Sequence, residues 1–181
     1  EVETTCSGIR PFVEGAKVTK LEIRETSLRW PVDENLPKVL KNKKALKVLR
    51  RGTYILIMFK TGYLAIHLGM SGSLRVIRDN RPWVKHDHID IHFGSKAILR
   101  YHDPRRFGAF VWIESEKEGD EAYQHHKLFA QLGPEPLSEA FDGELLFKSS
   151  RKRKIPVKSW IMDAKVVVGV GNIYANEALF M

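Results

Sequence analysis

The apolar positions of this chain change their period part-way along it. From about Lys17 to Glu114 they read as strands: Val18, Leu21 and Ile23 lie in an extended run, and Tyr54 to Phe59 and Tyr63 to Leu68 are two apolar segments joined at Thr61-Gly62, a short hairpin signal. Ile89, Ile91 and Phe93 alternate with His88, Asp90 and His92, and Gly94-Ser95 turns the chain into a further strand over Ala97 to Tyr101. After about Glu121 the spacing becomes helical. It predicts a short helix up to Leu132, closed by Gly133 in the position just past a helix and by Pro134. Val157, Trp160, Ile161 and Ala164 fall at helical spacing, and another helix starts near Asn172 and is still running at Met181. The fold class this predicts is α+β: an N-terminal antiparallel β-sandwich with flanking helices over residues 1–120, then a partial helical domain over residues 121–181. The uncapped apolar ending Ala178, Leu179, Phe180, Met181 and the lack of an initiator Met lead us to expect a chain truncated at its C-terminus and incomplete at its N-terminus.

Composition narrows the function classes. No stretch approaches the roughly 18 apolar residues of a membrane helix, and Glu1 to Thr5 has no signal-peptide character. Cys6 is the only cysteine, which excludes an internal disulfide and a cysteine-rich zinc site within these residues and favours an intracellular setting. The net charge of +8 is clustered: Lys38, Lys41, Lys43, Lys44, Lys47, Arg50 and Arg51 form one acid-free run, and Lys148, Arg151, Lys152, Arg153, Lys154 and Lys158 form another. Such patches suit a polyanion, whose counterions are released on binding, although a solubilising surface has the same composition.

Longer motifs decide between those readings. In order, the chain carries Glu1-Val2-Glu3-Thr4, Leu28-Arg29-Trp30-Pro31, His67-Leu68-Gly69-Met70-Ser71-Gly72-Ser73-Leu74-Arg75, Lys85-His86-Asp87-His88, Asp103-Pro104-Arg105-Arg106-Phe107-Gly108, Leu132-Gly133-Pro134-Glu135-Pro136-Leu137 and Val168-Gly169-Val170-Gly171-Asn172-Ile173-Tyr174. Together they resemble formamidopyrimidine-DNA glycosylase over nearly the whole chain, with the helical part similar to the start of that family's helix–two-turn–helix domain. The oxidised-purine branch is favoured over the endonuclease-VIII-like one by the Met70 and Arg105/Phe107 motifs. A basic ribosome-associated module would explain the charge but not those loops.

The resemblance implies base-excision repair: flipping an oxidised purine (8-oxoguanine or a formamidopyrimidine) out of duplex DNA, excising it and nicking the abasic site through a Schiff base. It implies that Met70, Arg105 and Phe107 fill the vacated space and wedge the neighbouring pair. Taken singly, a Met or a Phe is more often core. His86, Arg105, Arg153, Asn172, His67 and Lys158 match DNA contacts of the family. His86 and His88 are also spaced to share one side of a strand, as a metal pair would, though no third ligand lies within sequence range. In the Gly169-Val170-Gly171-Asn172 turn, the glycines admit a phosphate close to backbone N–H groups at a helix start, and Asn172 either adds a donor or is an ordinary helix cap. The partner implied is double-stranded DNA with an oxidised base or abasic site, bound by a monomer in the bacterial cytoplasm, associated with the nucleoid.

Three departures bear on catalysis. The family's Pro-Glu-Leu-Pro, whose proline amine attacks the sugar while the next Glu handles protons, is not among these residues, and Glu1 matches a later acidic position. Thr53 stands where the family has a lysine, and Lys60 lies seven residues of strand, roughly 23 Å, downstream. The family's zinc ribbon lies outside these residues, so no cofactor or metal is expected within them. No residue here is therefore assigned a catalytic role: the expectation is a DNA-binding but inactive piece of a glycosylase/AP lyase, the alternative a non-catalytic relative that binds damaged or distorted DNA.

Overall fold

A computed structural model describes residues 1–79 and 81–181 and divides them into two compact units, Glu1–Tyr123 and Gln124–Met181. The first unit opens with helix α1 (Val2–Val13), followed by β1 (Val18–Ile23), a short α2 (Leu36–Leu40), and strands β2 (Ala45–Arg51), β3 (Tyr54–Phe59), β4 (Gly62–His67), β5 (Ser73–Ile77), β6 (Asp87–Phe93), β7 (Ile98–His102) and β8 (Ala109–Glu114). The strands form two four-stranded antiparallel sheets, ordered β1-β6-β7-β5 and β2-β3-β4-β8. One apolar core joins them: Leu21, Ile91 and Leu99 from the first sheet, Ile55, Ile57, Leu64 and Ile66 from the second, and Cys6, Ile9 and Val13 from α1. Burial of these side chains is the main favourable contribution to the unit's stability. It also pushes the Cys6 thiol up to about 11, so Cys6 is a packed apolar group rather than a nucleophile.

The predicted hairpin is present with its turn one residue earlier than expected: Gly62 pairs with Phe59 and lies inside β4. A side chain there would strike the Ile113 carbonyl at 2.2 Å, so close strand packing, as well as a positive φ, requires glycine. The same register pairs Tyr54 with His67, which puts Lys60 at the other end of the hairpin from Thr53.

In β6 two of the polar alternates, His88 and Asp90, are buried, as is Asp87 at the start of the strand. Asp90, 1% exposed, accepts from Arg100 at 2.9 and 2.8 Å and from Arg24 at 2.6 Å, and Asp87 accepts from His102 or pairs with it at 2.9 Å. A buried carboxylate is tolerable only with such partners.

The second unit has α3 (Gly143–Ser150), α4 (Val157–Ile161) and α5 (Asn172–Phe180). The helix predicted up to Leu132 is reduced to one 3-10 turn, Ala122–His125, followed by irregular turns. Gly133 is accordingly not a helix cap. Its N–H donates to the Ala164 carbonyl at 2.8 Å, and a Cβ would lie 2.7 Å from the Lys165 carbonyl, so glycine serves close backbone approach. The spacing that included Ala164 overran α4, which ends at Ile161, while α5 begins where predicted. Among the described residues, no helix is long and apolar enough to cross a membrane.

Candidate nucleic-acid interface

In the first unit two loops put exposed side chains together. Met70 lies between β4 and β5 and is 79% exposed; Arg105 and Phe107 lie between β7 and β8, with Phe107 40% exposed. The Arg105 guanidinium stacks 4.5 Å from the Phe107 ring centroid and its Nη1 is 3.9 Å from the Met70 sulfur. Sequence pattern alone gave core packing as the ordinary place for a Met or Phe; here both lie on the surface around a cation. Beside them a cleft of ≈ 530 Å³ is lined by Ser27, Leu28, Arg29, Arg105, Arg106 and Phe107. Its walls are joined by an Arg29 N–H to Arg106 carbonyl bond of 2.8 Å and an Arg106–Glu25 ion pair of 2.9 Å.

At the end of the hairpin, the Gly69 N–H donates to His67 Nδ1 at 2.9 Å, so the ring proton is on Nε2, which faces Thr53 Oγ1 at 3.1 Å. Burial, with Arg29 nearby, lowers the His67 pKa and keeps the ring neutral. His67 thus donates to the Thr53 hydroxyl, leaving the hydroxyl hydrogen for a further acceptor.

His86 precedes β6 in a left-handed conformation (φ 75°), with its ring edge-on to His88 and His102 at 6.1 and 6.0 Å. The metal-pair alternative is not met: His88 is buried, with Nε2 2.7 Å from the Asp103 carbonyl. Among the described residues, Glu22, Asp90 and His92 offer ligand atoms within 4.8 Å of one another. Arg24 and Arg100 already occupy the Asp90 carboxylate, so that set does not fit a cation.

In the second unit, Asp142 caps α3 by accepting the Leu145 N–H at 2.7 Å. Arg153 lies beyond that helix, exposed, with Nε on the Ser149 carbonyl at 3.3 Å, and Lys158 is half-buried on α4. Gly169 takes φ 78°, and the cap of α5 is Gly171 in an extended conformation with no side-chain cap. Asn172 is therefore the first helical residue and not the cap, which leaves its amide outside the capping role that sequence allowed. The first-turn N–H groups of α5 have no acceptor within the helix and face the end where an anion is favoured.

A family model for the formamidopyrimidine-DNA glycosylase N-terminal domain matches residues 1–110, and that for the formamidopyrimidine-DNA glycosylase H2TH domain matches residues 132–181. The chain belongs to the formamidopyrimidine-DNA glycosylase family. Formamidopyrimidine-DNA glycosylase of Saccharophagus degradans is 54% identical over 180 residues, covering 99% of this chain and 64% of the relative. That of Hydrogenovibrio crunogenus is 50% identical over 181 residues, covering 100% of this chain and 62% of the relative. The chain thus spans a little under two thirds of the length of these glycosylases. The Lactococcus lactis glycosylase bound to DNA containing an AP site matches with TM-score 0.86 at 31% identity, covering 99% of this chain and 67% of that one. MutM in complex with carbocyclic 8-oxo-G DNA matches with TM-score 0.88 at 30% identity over 99% of this chain and 66% of that one.

Sequence reasoning missed Asp103, Ser71 and Tyr101 as parts of this site. Asp103 stands two residues before Arg105 with a proline between, which is a local turn signal, but its bond to Ser71 is tertiary and left no trace in the pattern.

Proposed function

We propose that this chain is the lesion-holding part of a bacterial base-excision enzyme for oxidised purines, acting on 8-oxoguanine or formamidopyrimidine in duplex DNA at the nucleoid. The observation that carries the reading is the exposed trio of Met70, Arg105 and Phe107: two apolar groups around one cation on adjoining loop tips suit a hole left by a flipped nucleotide. Phosphate contacts are assigned to His86, Arg153, Lys158 and the N–H groups at Asn172, with His67 acting through the Thr53 hydroxyl that it holds, and these fix register rather than read bases. Residues 1–181 hold DNA but do not cut it as an isolated polypeptide. Strand cleavage would use the cation that the family has as a lysine, and at that position Thr53 offers only an uncharged hydroxyl already engaged by His67. That engagement also favours the second reading, a relative in which binding without cleavage is the function.

Both are tested on duplexes with and without a tetrahydrofuran or natural abasic site. The chain should prefer the abasic duplex, and Arg105→Ala should weaken that complex by about 1–3 kcal/mol, the scale of a good polar contact to a base, while changing intact-duplex binding less. Equal losses on both DNAs would reduce Arg105 to a phosphate contact. Borohydride should trap no adduct on the natural abasic site; trapping at the rate of a full-length glycosylase overturns the non-cutting reading.

A further inference from the structure

Three loops of the first unit carry four of the side chains assigned above to DNA: residues 68–72 with Met70, residues 81–86 with His86, and residues 103–108 with Arg105 and Phe107. The tips lie outside the strands, so the sheet ladders do not set where they stand relative to one another. Bonds from all three converge on Asp103, which is 0% exposed and follows the end of β7. Its Oδ1 accepts from Ser71 Oγ at 2.7 Å and from the Arg105 N–H at 3.2 Å. Its Oδ2 accepts from the Tyr101 hydroxyl at 2.8 Å and from the Gly108 N–H at 3.0 Å. The Asp103 N–H donates to the His86 carbonyl at 3.0 Å, and its carbonyl faces His88 Nε2 at 2.7 Å. Ser71 is the neighbour of Met70, Arg105 and Gly108 bracket Phe107, and His86 is itself the third contact. Burial alone would push the carboxyl up, but these donors hold it below the ordinary carboxylate value, so the acceptor is ionised at neutral pH.

We propose that Asp103 is the positioning residue of the lesion-holding apparatus: one buried carboxylate and its own peptide groups set the Met70, His86 and Arg105–Phe107 loops in a single register. The wedge side chains then enter the duplex together, with no ordering left to be done on binding. The proposal rests on the reading of Met70 and Phe107 as void-fillers. Asp103 touches no DNA in this scheme; it acts through the loops it ties.

The isostere Asp103→Asn probes this because each carboxylate oxygen accepts one hydroxyl and one backbone N–H. Hydroxyls can reverse, but a backbone N–H cannot. Whichever way the amide is flipped, its NH2 therefore opposes the N–H of either Arg105 or Gly108, and one loop is released. The measurement is the ratio of affinities of the 181-residue chain for a tetrahydrofuran-abasic duplex and an intact duplex. Asp103→Asn should lower that ratio roughly fivefold to hundredfold, the effect of one buried donor left without its acceptor, while intact-duplex affinity holds within about twofold. Ser71→Ala, which detaches only the Met70 loop and serves if the Asn variant does not fold, should give a partial loss of the ratio.

A cycle separates positioning from general stability. In a Met70→Ala/Arg105→Ala/Phe107→Ala background, Asp103→Asn or Ser71→Ala should lower the ratio no further. An equal drop in that background shows action elsewhere and overturns the proposal. If the Met70→Ala/Phe107→Ala pair itself leaves the ratio unchanged, the void-filling reading fails and takes this proposal with it. If that pair lowers the ratio but Ser71→Ala and a folded Asp103→Asn do not, the positioning role alone is wrong.

Discussion

A histidine whose Nδ1 accepts a backbone N–H cannot be protonated without losing that bond, and His67 is in that position with Gly69. Its pKa is lowered from the ordinary 6.5, by burial first and Arg29 second, so the unfolded chain takes up a proton at a higher pH than the folded one does. The sign follows: His67 adds no pH dependence well above 6.5, and stability declines as pH falls through 6.5 towards the folded pKa. His126 and His86 are shifted the same way and add to the slope, so the test needs a difference. Urea midpoints followed from about pH 7.5 to 5.5 should fall more steeply for the native chain than for His67→Gln. Identical slopes would mean that the ring is not held neutral. At this scale the sequence made the exposed chemistry legible, because Met70, Arg105, Phe107 and His86 stand in long motifs. The internal ties of Asp103 were illegible, since a hydrogen bond across 32 residues has no periodicity to reveal it.

Among elements, the strands that sequence exposed most clearly are those where both neighbours are strands: β3, β4, β6 and β7 each show runs or alternation that only a sheet satisfies. Helix α1 was expected only as a flanking helix of unspecified place. Val2, Cys6, Ile9 and Val13 do recur at helical spacing on its buried side, but Gly8 and Pro11 lie between them and read as breakers. Tertiary packing on the sheets outweighs that local preference. The lost helix before Leu132 shows the converse: Tyr123, Leu128 and Phe129 are buried there from a 3-10 turn and irregular turns rather than from an α-helix, so apolar spacing alone did not fix the backbone. Two glycines turn this into a prediction of opposite signs. Gly8 has nothing within 4 Å of a built Cβ, so Gly8→Ala should stabilise α1, by about 0.5–1 kcal/mol. Gly108 lies where a Cβ would stand 1.7 Å from the Tyr101 hydroxyl oxygen and 2.6 Å from the His67 carbonyl, and Tyr101 is fully buried. Gly108→Ala should destabilise by at least the roughly 1–3 kcal/mol of core overpacking. Chemical denaturation of the two variants measures both; a neutral Gly108→Ala would mean that the β7–β8 loop moves freely away from Tyr101.

For the whole molecule, charge and shape make separable demands on DNA. A net charge of +8, with basic runs in both units, acts on every phosphate alike, whereas Met70, Arg105 and Phe107 respond only to a gap in the stack. The two terms must therefore part company as salt is raised. Each phosphate neutralised adds about −0.9 to the slope of log affinity against log salt, so affinities for intact and abasic duplexes should both fall steeply between roughly 50 and 200 mM salt. Their ratio should stay nearly constant, because the two duplexes carry the same phosphates over the footprint. Arg153→Ala or Lys158→Ala should make the slope shallower by about one and leave the ratio alone. Phe107→Ala should do the reverse, lowering the ratio at every salt concentration with the slope unchanged. A ratio that collapses with salt would mean that Arg105 recognises the abasic site as one more phosphate contact, with Met70 and Phe107 contributing nothing to the preference. A flat affinity for both duplexes would remove the electrostatic interface altogether.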